Sequence, residues 1–108
     1  MSLLTGKFMC KELNAELIIS HAEDSDGSAI GEFVLAEKNI PVSIHYHFKN
    51  SGGPETTLTF SGHIDDPNYY AGGSGYIANI KENNEIDIAG GFTSISDTTG
   101  FSGKFFKV

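Results

Sequence analysis

The sequence predicts an all-β fold, an antiparallel up-and-down barrel of about eight strands. Three observations lead there. Apolar and polar residues alternate with period two from end to end, and no window of eleven or more residues keeps helical spacing free of glycine or turn breaks. Compact turn clusters separate the alternating runs: Glu23-Asp24-Ser25-Asp26-Gly27-Ser28, Asn50-Ser51-Gly52-Gly53-Pro54, Glu82-Asn83-Asn84 and Asp97-Thr98-Thr99-Gly100. Links this short join antiparallel neighbours as hairpins. A glycine also recurs two residues before a large apolar side chain, as small barrels require where inward residues alternate in size.

Each strand follows from its own alternation. The first, 4–10, sets Leu4, Gly6 and Phe8 on one face, and the second, 13–21, sets Leu13, Ala15, Leu17 and Ile19. The third, 29–37, carries Ala29, Gly31, Phe33 and Leu35; the fourth, 40–49, carries Val42, Ile44, Tyr46 and Phe48. The fifth, 55–64, adds Leu58, Phe60, Gly62 and Ile64. The stretch Asp65–Gly73 reads as the longest connection, with Tyr69 and Tyr70 in it. A sixth strand at 74–81 then contributes Tyr76, Ala78 and Ile80. The seventh, 85–95, offers Ile86, Ile88, Gly90 and Phe92, and the eighth, 101–108, offers Phe101, Gly103 and Phe105. A slip of one residue would turn any of these sets to solvent, so the sorting fixes the buried face.

The glycine pattern reads Gly6-Lys7-Phe8, Gly31-Glu32-Phe33, Gly62-His63-Ile64, Gly90-Gly91-Phe92 and Gly103-Lys104-Phe105. Glycine weakens a strand, so five inward instances call for close approach across a narrow interior and sharp coiling at barrel corners. A β-sandwich, with glycines marking bulges, is the alternative. Closure of eight strands is preferred because it removes exposed edges.

Length and charge narrow the function. The 108 residues suit one domain, 1–108. Seven basic against fourteen acidic residues give a net charge of −7, which opposes nucleic acid and anionic membranes as partners. Cys10 is the single cysteine, so no intrachain disulfide forms. The sequence shows no signal-peptide pattern, no apolar run of membrane-spanning length and no Asn-x-Ser/Thr acceptor, so the expected compartment is cytoplasmic.

Several segments resemble the avidin and streptavidin family. Gly6-Lys7-Phe8 followed by Leu13 and Leu17-Ile18-Ile19 is similar to that family's first hairpin, which opens on Gly-x-Trp. Gly31-Glu32-Phe33 looks like its Gly-x-Tyr strand, and Thr56-Thr57-Leu58-Thr59-Phe60-Ser61-Gly62 like its Thr-Thr-hydrophobic-x-Gly strand. The resemblance covers about the first 60 residues in pieces and implies a meander barrel. It does not carry the biotin site: tryptophan is absent, and the contacting Asn, Ser and Tyr fall on Cys10, about Asn14, and Phe33. Allene oxide cyclase-like and lipocalin-like barrels share the architecture.

The residues offer few chemical constellations. His45 and His47 share a polar face with Ser43, and a hairpin centred near Gly53 or Pro54 would bring His63 opposite His45, a candidate zinc or copper patch. No carboxylate or cysteine completes that ligand set, and a solvent-facing polar face explains it better, so no metal is expected. Asp24-Ser25-Asp26-Gly27-Ser28 starts like a calcium loop, lacks the later acidic ligand and fits a hairpin turn. No nucleophile elbow or paired carboxylates appear, and Cys10 reads as core.

The leading expectation is therefore a non-enzymatic barrel that takes a small apolar or amphipathic ligand at one mouth, without a cofactor. Phe8, Phe33, Tyr46, Phe60, Tyr76 and Phe92 would line its upper interior, and Tyr69 and Tyr70 its rim. Plain core filling is the competing reading of each ring. A second reading is an interaction barrel assembling as a homo-oligomer through outward Met9, Ile18, Ile30, Val34, Ile77, Ile95 and Phe106. A cyclase- or isomerase-like enzyme is the third.

Overall fold

The computed structural model describes residues 4–35, 37–48, 55–65, 68–82, 85–94 and 96–108. Eight antiparallel strands follow one another and close into a barrel in chain order. They are β1 (Gly6–Cys10), β2 (Ala15–Glu23), β3 (Ser28–Leu35), β4 (Lys38–Phe48), β5 (Thr56–Asp65), β6 (Asn68–Ile77), β7 (Glu85–Ser94) and β8 (Thr98–Lys107). A 3-10 turn, Ile80–Glu82, joins β6 to β7 and buries Ile80. No helix among the described residues is long and apolar enough to cross a membrane.

The inward face is the one the alternation specifies for seven strands. Phe8, Leu17, Phe33, Ile44, Leu58, Ile88 and Phe105 are all buried. Two inward glycines show why that pattern exists. A Cβ built on Gly31 would lie 1.9 Å from the Ile18 carbonyl oxygen, and one on Gly62 would lie 1.9 Å from that of Pro41. Neighbouring strands approach there more closely than any side chain allows, which lets the sheet coil shut.

The sixth strand departs from expectation. Asp65 pairs with Asn68, so the stretch read as a long connection is mostly strand, and β6 begins six residues before the expected 74. Its inward residues are Tyr69, Ala71, Gly73, Gly75 and Ile77, the opposite phase from Tyr76, Ala78 and Ile80. Its neighbours across the ladder are the cause: a Cβ on Gly73 would lie 2.5 Å from the Ala89 carbonyl oxygen and 3.0 Å from the Phe60 ring, so glycine here marks close approach instead of a loop. Ile77 is consequently core rather than outer wall, and Ile95 of the expected outer patch lies outside the described residues.

Register explains the barrel's shape. One ladder runs from His47 through Thr57, Tyr76 and Asp87 to Lys104. The ladder crossing the seam from Phe106 passes Met9, Glu16 and Val34 and reaches β4 at Asn39, far from His47. Strands so staggered must tilt against the barrel axis. β1 and β8 meet over only a short stretch among the described residues. There Phe8 pairs with Lys107, Met9 pairs with Phe106, and the Val108 N–H donates to the Lys7 carbonyl.

Candidate binding groove at the barrel seam

The eight aromatic residues expected around one mouth occupy four places. Phe8, Phe33 and Phe60 are buried in the body of the barrel. Phe33 is the hub: its ring centroid lies 5.3 Å from Phe60, 5.1 Å from Phe101 and 6.4 Å from Phe105. Rings from β3, β5 and β8 thus fill the cross-section with contacts worth about 0.5–1.5 kcal/mol per pair beyond their buried area. Tyr69 and Phe92 stack at 5.2 Å near the β5–β6 and β7–β8 hairpins, and the Lys38 ammonium sits 5.4 Å over Tyr69. That mouth is stoppered by its own side chains. Tyr46 stands toward the other end, edge-on to Phe48, and its hydroxyl donates to the Asp24 carboxylate in the β2–β3 turn.

Tyr70 and Tyr76 face outward. Tyr76, expected inside, is 40% exposed and donates to Glu55 at 2.8 Å, a bond that raises the phenol's pKa above its ordinary value. Its placement follows from the changed phase of β6. Tyr70 is 52% exposed and stacks on His63 at 5.4 Å. These rings border a shallow wall groove of about 720 Å³, with Gly62, Gly72 and Gly91 in its floor.

The histidine patch does not form. His45 stands opposite Thr59, while His63 lies one residue beyond the Val42–Gly62 pair and therefore next to Pro41. Four positions along a strand separate the two rings, roughly 13 Å at strand spacing. His63 instead approaches Asp65 at 3.4 Å, and among the described residues no cluster of three metal-ligating side chains occurs. The β4–β5 register differs from the one expected of a turn centred at Gly53 or Pro54, which is enough to separate them. The acidic β2–β3 turn is likewise committed to its own chain. Asp26 accepts from the Ser28 hydroxyl at 2.6 Å and the Ser28 N–H at 3.0 Å, and the hydroxyl bond is the main cause of its lowered pKa.

A largely apolar depression lies at the β1–β8 seam, where a groove of about 760 Å³ opens beside the point at which the chain leaves β1. Met9 and Phe106, directly paired across the seam, form its wall, with Val108 at one end and Cys10 beneath. Phe106 is 52% and Val108 77% exposed, while Cys10 is buried. Lys11, Glu12 and Lys104 stand at the rim. Lys104 is shared with Asp87 at 3.4 Å and Glu85 at 3.7 Å, and its pKa is raised chiefly by the hydrogen bond to Asp87. Lys11 makes no ion pair among the described residues. Lys107 is exposed and also lines the groove, with its ammonium 5.9 Å from the Phe8 ring.

The alternation flags Met9 and Phe106 as outward apolar residues, but the groove itself escapes it. Its two sides come from opposite ends of the chain and meet only when the barrel closes. One signal was present: Lys7, Lys11, Lys104 and Lys107, four of the seven basic residues, fall on the first and last strands or next to them. Compared with known proteins, the chain matches no family model, no curated protein and no solved structure.

Proposed function

We propose that the protein is a non-enzymatic binding barrel for a small amphipathic anion, held in the seam groove instead of at the barrel mouth. The observation that carries this reading is the meeting of half-buried Met9 and exposed Phe106 and Val108 with Lys11 and Lys104 on an otherwise acidic surface. An alkyl tail would cover the three apolar side chains, and a carboxylate would lie beside Lys11. The groove's volume falls within the roughly 300–1,000 Å³ of ordinary small-molecule sites. The packed Phe33–Phe60–Phe101 cluster favours the outside over the interior.

Titration with octanoate, decanoate and dodecanoate, followed by amide and methyl chemical shifts, tests the reading. Shifts are expected at Met9, Lys11, Phe106 and Val108, with affinity rising about fourfold per added methylene as each buries about 0.8 kcal/mol of apolar surface. Added salt should weaken the carboxylates and leave dodecanol unchanged. Shifts confined to Tyr69 and Phe92 would return the ligand to the mouth and refute the seam.

A further inference from the structure

We propose that the outer wall around β6 binds an extended, uncharged polysaccharide, laid along the strand from Tyr70 to Tyr76. Two glycines without a packing reason start the argument. Glycine weakens a strand, so its presence wants a cause. At Gly31, Gly62, Gly73 and Gly90 the cause is close approach: a Cβ there would lie 2.5 Å or less from a neighbouring carbonyl oxygen. On Gly91 a Cβ would meet nothing nearer than 3.8 Å, and on Gly72 nothing nearer than 3.3 Å. Neither residue adopts the positive φ of Gly6 and Gly27. The barrel has space at Gly91, and nearly so at Gly72, for a side chain that the sequence withholds. Glycine at such a place lets a ligand approach the backbone closely.

Gly72 pairs with Gly91 on one side and Ser61 on the other, and the next outward row is Thr59, Ser74 and Ala89. Together they make a floor with no charge, three hydroxyls and nothing larger than threonine. Two shallow depressions, of about 720 and 670 Å³, follow one another over it, the first reaching Tyr70 and the second Tyr76. Both rings face outward from β6, 52% and 40% exposed. Six positions separate them, roughly 20 Å at strand spacing. Each ring is held in advance: Tyr70 stacks on His63, and the Tyr76 hydroxyl donates to Glu55 at 2.8 Å. Side chains fixed before binding lose little freedom when a ligand arrives.

The chemistry of the face selects its occupant. Tyrosine offers an apolar ring with a polar tip. A pyranose presents the matching pair, C–H groups on its faces and hydroxyls around its edge. Two such rings with a hydroxyl floor between them fit a run of sugar units in an extended, ribbon-like chain. Charge agrees: a protein of net charge −7 repels an anionic polymer, and the floor itself is neutral. Neither tyrosine belongs to the seam groove, so this site stands apart from fatty-acid binding.

Titration of the full chain with cellohexaose, followed by amide chemical shifts, tests the proposal. Shifts are expected from Tyr70 through Tyr76 and at Gly91, with an affinity that salt leaves unchanged. Cellobiose, which reaches one ring, and maltohexaose, which coils, should each bind at least about tenfold more weakly. Tyr70→Ala and Tyr76→Ala should each weaken cellohexaose by a similar factor. Gly91→Val separates binding from folding. Replacing a strand glycine that has room for a side chain should raise the melting temperature, while the added bulk obstructs the floor and weakens cellohexaose about tenfold or more. No shifts with millimolar cellohexaose, equal affinity for cellobiose, or unchanged affinity in Gly91→Val would overturn the proposal. So would a concentration-dependent doubling of mass that Gly91→Val abolishes, which would assign the wall to a second copy of this chain.

Discussion

Asp26 and Thr56 show how individual polar groups are treated in so small a barrel. Asp26 is exposed, yet its two bonds from Ser28 hold its pKa below the ordinary carboxylate value. A carboxyl whose folded pKa is lowered stabilises the fold above its unfolded pKa and loses that contribution as pH falls through the folded value. Ser28→Ala should therefore move the Asp26 titration upward toward the ordinary range by nuclear magnetic resonance; an unmoved titration would remove the hydroxyl as its cause. Thr56 is the opposite case. Its Oγ1 is buried with no hydrogen-bond partner, between Phe48 and Ile77 in the register. A buried hydroxyl left unsatisfied costs about 1–3 kcal/mol, so Thr56→Val, which keeps the shape, should raise stability by about 1 kcal/mol in urea. A loss of stability would mean that a bound water satisfies the hydroxyl.

At the scale of the strand, close approach decides which positions tolerate a side chain. Gly62→Ala would force its methyl against the Pro41 carbonyl, and a backbone cannot yield as a flexible side chain can. The variant should lose about 2–3 kcal/mol, read as a lower urea midpoint with an unchanged slope. Similar stability to wild type would show that β4 and β5 can part locally. The same geometry explains what was legible. Seven strands were readable because one face of each is apolar and the other polar. β6 was not, because Gly72, Gly73 and Gly75 carry no hydropathy and look like turn residues, while Tyr76 mimics a core ring. Its true phase is set by Phe60 and other neighbours across the ladder, and one strand's sequence does not contain them. The histidine patch failed for a related reason: register depends on the turn, and a shift of one or two residues moves a side chain by a whole pair.

Across the whole molecule, closure joins residues near position 9 to residues near 106, and function is read from that junction. The aromatic cluster around Phe33 fills the barrel's middle and the Tyr69–Phe92 stack stands at one mouth, which is why the proposed binding site is placed outside. The seam supplies what the interior does not: exposed apolar side chains beside lysines, and a stretch of β8 that no described residue pairs on the β1 side. Both depend on a long-range pairing of strands that no local pattern encodes. The barrel itself was legible, and the proposed groove was visible only as scattered lysines and two outward apolar residues. Binding at the seam is tested most directly by the affinity of a fluorescent medium-chain fatty acid for the wild-type chain, Phe106→Glu and Lys11→Glu. Lys11 is exposed, whereas Phe106→Glu faces Glu85 across the ladder, so each variant's melting temperature is measured beside its affinity. Binding at the seam requires at least a tenfold loss in each, about 1.4 kcal/mol. Equal affinity in all three proteins would contradict it.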